Sequence, residues 1–254
     1  MGTVMNPSRS IEVIARGDVR VVWSDVLPLA QRPGNPVAEV DRLWEEAVTR
    51  SAGHLFNGSF LNVADIAVAD AGCEIRTHFD EYKYLYAARE WRECDLGVAP
   101  IGVSGISWIH EAGQTWAVVA RRANHVTQYP GFLEFVPSGT IDFSSATDSG
   151  SVDYVSKLLD ELHEEAGVTR EYVAWARAIG LVYDPQDRNY DICCEIQLTC
   201  QSESVLSGIY AAPEYVEPIL ISRTGLSTFV HKHASQIIPS SLGILALLNL
   251  HPLD

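Results

Sequence analysis

Residues 151–168 read SVDYVSKLLDELHEEAGV, and the fold turns on what they form. Val155, Leu158, Leu159, Leu162 and Ala166 recur at helical spacing, so the stretch predicts an amphipathic helix with one stripe on a core. Glu161, Glu164 and Glu165 stand three and four positions apart, off that stripe, where like charges repel unless solvent or a cation relieves them. A hard divalent cation suits such a group. Mg²⁺ takes one or two carboxylates together with substrate phosphates rather than an all-protein cage, so the spacing fits a metal that arrives with a phosphorylated ligand. The competing reading is a solvated acidic face on a surface helix.

The run Asp160-Glu161-Leu162-His163-Glu164-Glu165-Ala166-Gly167-Val168 resembles the end of the Nudix box, G-x5-E-x7-R-E-U-x-E-E-x-G-U with U apolar. Glu161, Leu162, Glu164, Glu165, Gly167 and Val168 match it. Asp160 stands where the family has arginine, Val152 where it has the first glutamate, and the first glycine falls on Ala146; Gly139, ahead of an insertion to about Gly150, is its nearest counterpart. The chain most resembles the branch typified by a mammalian UDP-glucose pyrophosphatase, which has an extended N-terminal region, two adjacent arginines before the box and a degenerate box. The likeness runs from about Val37 to Val230, and only the box tail is specific.

The resemblance implies an α/β protein: a Nudix α/β/α sandwich over 99–254 with an N-terminal α+β extension over 1–98. It implies Mg²⁺-dependent hydrolysis of the pyrophosphate bond of a nucleoside diphosphate linked to a sugar or related group, giving a nucleoside monophosphate and a sugar phosphate. Mn²⁺ is the alternative metal. The other readings kept open are a non-catalytic nucleotide-diphosphate binding or regulatory module and a Nudix hydrolase of a non-nucleotide diphosphate.

Composition narrows the classes. Of 254 residues, 47% are apolar, enough for a substantial core in one domain or in a main domain with a smaller one. Thirty-three acidic against eighteen basic side chains give a formal charge of −15, which repels nucleic acid and anionic membrane, and the only adjacent basic pair is Arg121-Arg122. The expected partner is thus a small-molecule diphosphate, with no nucleic acid and no membrane; monomer and homodimer both stay open. Five cysteines without CxxC spacing read as reduced thiols, and the N-terminus lacks an apolar signal core, so the expected location is cytoplasmic.

Along the chain, the β-prone runs between Ser10 and Val26 flank Gly17-Asp18 and predict a hairpin, followed by a helix over Val37–Thr49. Strands are expected at Phe60–Val68, Cys73–His78, Ile101–His110, Thr115–Arg122, Phe132–Pro137, Gly180–Tyr183, Ile192–Thr199 and Val216–Ser222. Further helices are expected at Tyr82–Trp91, Gly225–His231 and Ser241–Leu250. The aromatic run Tyr82, Tyr84, Tyr86 and Trp91 reads either as a stacking platform or as a cap between subdomains. Leu96–Pro100 marks the junction with the main domain.

Diphosphate hydrolysis needs negative charge held in place and a water oriented. By the resemblance Glu161, Glu164 and Glu165 are the catalytic and metal-binding residues, with Glu161 and Glu165 one turn apart. Arg121 and Arg122 are substrate-binding candidates, because a guanidinium fork suits a diphosphate, although neighbours on one strand face opposite ways. Asp191 and Glu195 are candidates for substrate contact, a further ligand or the general base. Asp142 and Asp153 are candidates to stand in for the carboxylate missing at Val152. No G-x-G-x-x-G, GxxxxGK[ST] or G-x-S-x-G is present, which argues against a Rossmann dehydrogenase, a P-loop enzyme and the common serine-hydrolase elbow.

Overall fold

The computed structural model describes residues 11–25, 28–32, 34–51, 55–126 and 128–251. The leader reading of the first ten residues, and Val26 at the end of the second β-prone run, lie outside them. In chain order the elements are β1 (Glu12–Arg16), β2 (Asp18–Trp23), α1 (Val37–Arg50), β3 (Ser59–Ala69), β4 (Gly72–Glu81), α2 (Tyr82–Glu90), β5 (Ile101–Glu111) and β6 (Gln114–Arg122). There follow β7 (Leu133–Phe135), β8 (Ser138–Thr140), α3 (Tyr154–Ala166), β9 (Val173–Asp184), β10 (Asn189–Leu198), α4 (Ser202–Ala211), β11 (Tyr215–Ser222), α5 (Leu226–His233) and α6 (Pro239–Leu247).

The larger sheet runs β1-β9-β10-β5-β6-β11, with β7 added to β6 and β8 to β5. Its centre is the parallel pair β10 and β5, in register from Tyr190 opposite Ile101 to Leu198 opposite Ile109. Strand alternation sorts the side chains. Ile192, Cys194 and Ile196 face a core completed by Leu158, Leu162 and Ala166 of α3 and Val205 and Ile209 of α4. Val182, Cys193, Ile106 and Trp108 face the opposite core, completed by Leu226 and Val230 of α5 and Leu242, Ile244 and Leu245 of α6. Helices cover both faces of the sheet. This is the α/β/α sandwich expected, and the smaller sheet β2-β4-β3 with α1 and α2 forms the N-terminal α+β extension.

The hairpin expected around Gly17-Asp18 does not form. β1 pairs antiparallel with β9 in the larger sheet, and β2 pairs parallel with β4 in the smaller one. Gly17, at φ +97°, makes the turn between sheets, where an added Cβ would lie 2.4 Å from the Ala71 carbonyl oxygen. Alternation identifies a strand but not its partner, and a hairpin of five or six residues alone is marginal. α4 was not anticipated, because Gly208 and three serines dilute its helical signal; that glycine brings α4 against α3, since a Cβ there would meet the Ala166 carbonyl oxygen at 1.9 Å.

α3 begins with Asp153, whose carboxylate accepts a hydrogen bond from the Ser156 N–H at 2.9 Å, and ends at Gly167 in the left-handed region, φ +66°. Asp153 is therefore the helix cap, and Val152 is core. No helix among the described residues is long and apolar enough to cross a membrane.

Candidate functional site

A cleft of about 480 Å³ opens where β5, β8, β10, α3 and the start of α6 meet the N-terminal extension. Gly102 and Ser104 of β5, Asp191 of β10, Ser138, Gly139 and Thr140 of β8, and Lys157 and Glu161 of α3 line one side, together with Arg122 and Glu134; Phe56, Tyr82, Leu85 and Arg89 line the other.

Glu161 and Glu165 lie one turn apart on α3, both largely withdrawn from solvent. Burial raises the Glu161 carboxyl above its ordinary range, opposed by Lys157, whose Nζ lies 2.8 Å from Glu161 Oε1 and 3.7 Å from Asp142 Oδ2. Gly139 makes room for this arrangement, because a Cβ there would sit 2.4 Å from the Glu161 side chain. Glu165 is only 3% exposed, and burial, then repulsion from Glu134, Glu161 and Glu214, pushes its carboxyl well above the ordinary range. A face of α3 open to solvent was the expectation for it; instead Glu165 accepts a hydrogen bond from the Ser138 N–H at 3.2 Å, and its Oε1 lies 3.1 Å from the Tyr215 hydroxyl.

That hydroxyl is also 3.0 Å from Glu134 Oε2. A phenol carries one proton, so it can serve only one of the two carboxylates at a time. Arg122 compensates Glu134 by a direct ion pair, and the Glu134 charge, working against burial, raises the Arg122 pKa. The result is a chain Arg122–Glu134–Tyr215–Glu165 that starts on the cleft lining at Arg122 and Glu134 and ends at buried Glu165, where it is short of positive charge.

Asp191 is half-buried on the cleft lining, accepting from Ser104 Oγ at 2.9 Å and Asn189 Nδ2 at 2.8 Å; its withdrawal from water outweighs these bonds and its pKa is pushed up to about 7. The remaining candidates diverge. Glu164 is exposed. Arg121 turns away from the cleft to Glu217, at 2.9 Å, and to the Gly131 carbonyl oxygen, at 2.8 Å, so the adjacent arginines face opposite ways and only Arg122 lines the cleft. Glu195 is four residues along β10 from Asp191, roughly 13 Å at strand spacing, and is held by Trp108 Nε1 at 3.1 Å and Arg177 at 2.9 Å. Asp160 pairs on the surface with Arg170 at 3.0 Å.

Glu134, Tyr215, Lys157 and Arg89 also belong to the cleft or its hydrogen-bonded wall, and none stands in a motif. Glu134 had a signal: it is the one charge in the apolar run Phe132–Pro137. A carboxylate in such a strand must be paired or functional.

Among the described residues no group of three or more histidine, cysteine, aspartate or glutamate side chains is arranged to hold a metal ion. A two-carboxylate donor set is nevertheless what Mg²⁺ takes when substrate and water supply the other oxygens, and the crowding of Glu165 by Glu134, Glu161 and Glu214 is what a cation would relieve. Glu161, on the cleft lining, and Glu165, buried one turn along α3, are the carboxylates that would hold such an ion, Glu161 on leaving Lys157.

No protein-family model matches the chain, and no curated protein matches it in sequence. Among solved structures it is similar to the NUDIX domain of Shewanella oneidensis NrtR complexed with ADP ribose (13% identity, 59% of this chain and 85% of that one, TM-score 0.41). It is similar also to a NUDIX hydrolase from Alicyclobacillus acidocaldarius (16%, 59% and 90%, TM-score 0.45) and to a C. elegans Ap4A hydrolase binary complex (12%, 58% and 92%, TM-score 0.36). At such identity the likeness concerns part of the fold alone. The chemistry has to be read from the residues of the site.

Proposed function

We propose that the chain is a Nudix-type hydrolase that binds a diphosphate compound in this cleft and cleaves its pyrophosphate bond, with Glu161 and Glu165 as the Mg²⁺ ligands. The observation that carries the reading is the pairing of half-buried Glu161 with buried, charge-crowded Glu165 one turn away on α3, together with the cleft-lining Arg122. A bound Mg²⁺ or Mn²⁺ would polarise the phosphate and lower the pKa of a coordinated water. Arg122, already anchored by Glu134, offers its remaining N–H groups to phosphate oxygens. Tyr215 steadies whichever of Glu134 and Glu165 keeps its charge. Asp191, with a pKa near neutrality, suits proton transfer in the cleft. Glu164, exposed on the next position of the helix, is left as a secondary ligand or water-positioning residue.

For the substrate we propose a nucleoside diphosphate linked to a sugar or related group, since the cleft also has an aromatic and apolar wall in Phe56, Tyr82 and Leu85. The test is product mass from a panel of nucleoside diphosphate sugars, with millimolar Mg²⁺ and with excess chelator. Nucleoside monophosphate and sugar phosphate should form only with metal. The salt bridge from Lys157 to Glu161, and Asp160 in place of the family's arginine, favour the second reading, a nucleotide-diphosphate binding module without turnover. Tight binding with no product in any metal would establish that reading instead.

A further inference from the structure

Three cationic side chains line the cleft, amid the carboxylates of Glu134, Asp142, Glu161, Asp184, Asp187, Asp191 and Glu214. Two are committed: Arg122 pairs with Glu134 and donates to the Gln128 carbonyl oxygen at 3.0 Å, and Lys157 pairs with Glu161. Arg89 is not. It makes no hydrogen bond or ion pair with the described residues, and its Nε is buried without an acceptor. Arg92, just past the end of α2, takes the Gln186 carbonyl oxygen at 2.9 Å and Asp187 at 3.4 Å. A guanidinium whose Nε is removed from water with no acceptor is poorly compensated, and its remaining N–H groups, which no described residue engages, are left for an anion arriving in the cleft.

Arg89 also stands in suitable company. Tyr82, Leu85 and Arg89 are spaced three and four apart on α2, which sets them on one face of the helix, and all three line the cleft. Phe56, from the same N-terminal unit, is 82% exposed and lines it too. A planar cation beside an aromatic and apolar wall matches a ligand that carries a phosphate and, across a sugar, a flat ring.

We propose that Arg89 is the phosphate-binding residue that the N-terminal extension brings to the cleft, with Phe56 and Tyr82 receiving the base of a nucleoside diphosphate ligand. The assignment rests on the diphosphate reading of the cleft but not on turnover or on metal. In it, the N-terminal unit reads the nucleotide while α3 carries the hydrolytic carboxylates.

Calorimetric titration in excess chelator tests this on the full chain, with UDP and ADP as probes and uridine and adenosine as their phosphate-free counterparts. Arg89→Gln should weaken the better-bound diphosphate on the order of tenfold or more and leave the nucleosides unchanged. Arg89→Lys, which keeps the charge but loses the fork, should fall between; if Arg89→Gln melts early, a loss of about threefold in Arg89→Lys with nucleosides unchanged carries the result. Diphosphate affinity unchanged within about twofold, or an equal loss for nucleoside and diphosphate, would overturn the role of Arg89. Failure of the wild type to bind either diphosphate would overturn it together with the diphosphate reading. Absence of turnover with the Arg89 effect intact would remove only the hydrolase.

Discussion

The ammonium of Lys157 lies 2.8 Å from the carboxylate of Glu161, one turn away on the same helix, where a metal-bound glutamate would need to be free. The same ammonium is 3.7 Å from Asp142. It thus neutralises in place carboxylates that a divalent cation would otherwise neutralise, and a cation bound at Glu161 would have to displace it.

Lys157→Met should therefore tighten divalent-metal binding. Loss of the internal cation leaves Glu161 without its partner, and a Mn²⁺ titration followed by electron paramagnetic resonance should give an affinity greater by on the order of tenfold, about 1.4 kcal/mol. An equal or weaker affinity would mean that Lys157 helps to build the metal site rather than competing for it.

Asp191 gives a pH signature. Its folded pKa, about 7, lies above its unfolded value near 3.8, so its contribution to stability is fully present below about pH 4 and is lost as pH rises through 7. Asp191→Asn keeps the neutral form at every pH and retains an oxygen for Asn189. Its stability advantage over the wild type, from urea melts, should be on the order of 2–3 kcal/mol greater at pH 8 than at pH 5. A difference independent of pH would show that Asp191 is not held protonated by burial.

We propose the division into 1–98 and 99–254 as a difference of role rather than of folding. β1 belongs to the larger sheet, Tyr154 Oη donates to the Val19 carbonyl oxygen at 2.6 Å, and the Ala99 N–H donates to Asn62 Oδ1 at 2.6 Å across the junction. Limited proteolysis should spare Leu96–Pro100. Rapid cleavage there into two separately folded pieces would identify independent domains.

Much of the architecture was legible from periodicity: the apolar stripe of α3, the strands β3, β4, β5 and β6, and the helix α1 all fall where spacing puts them. Strand partnership was not, because β1 and β2 are paired by tertiary contacts that a local pattern does not encode. At the site, Glu161 and Glu165 were visible as a one-turn pair, but the burial of Glu165 depends on Tyr215 and Ser138, which lie 50 and 27 residues away. Glu195 and Arg121 failed to join the cleft for a simpler reason: each lies on a strand that reaches it, but their side chains are engaged elsewhere, by Trp108 and Arg177 and by Glu217.

If Glu165 is a metal ligand of a hydrolase, Glu165→Gln should separate folding from turnover. The variant should fold, because Gln keeps the acceptor for Ser138 and removes a charge that burial and three neighbouring glutamates disfavour; its stability should equal or exceed that of the wild type near neutral pH. The measurement is steady-state turnover of the best diphosphate substrate by wild type and Glu165→Gln in millimolar Mg²⁺. We expect kcat/KM to fall on the order of a hundredfold, about 3 kcal/mol, in a variant that melts no earlier. Rates that agree within about twofold would contradict the assignment and return Glu165 to a purely structural place beside Tyr215.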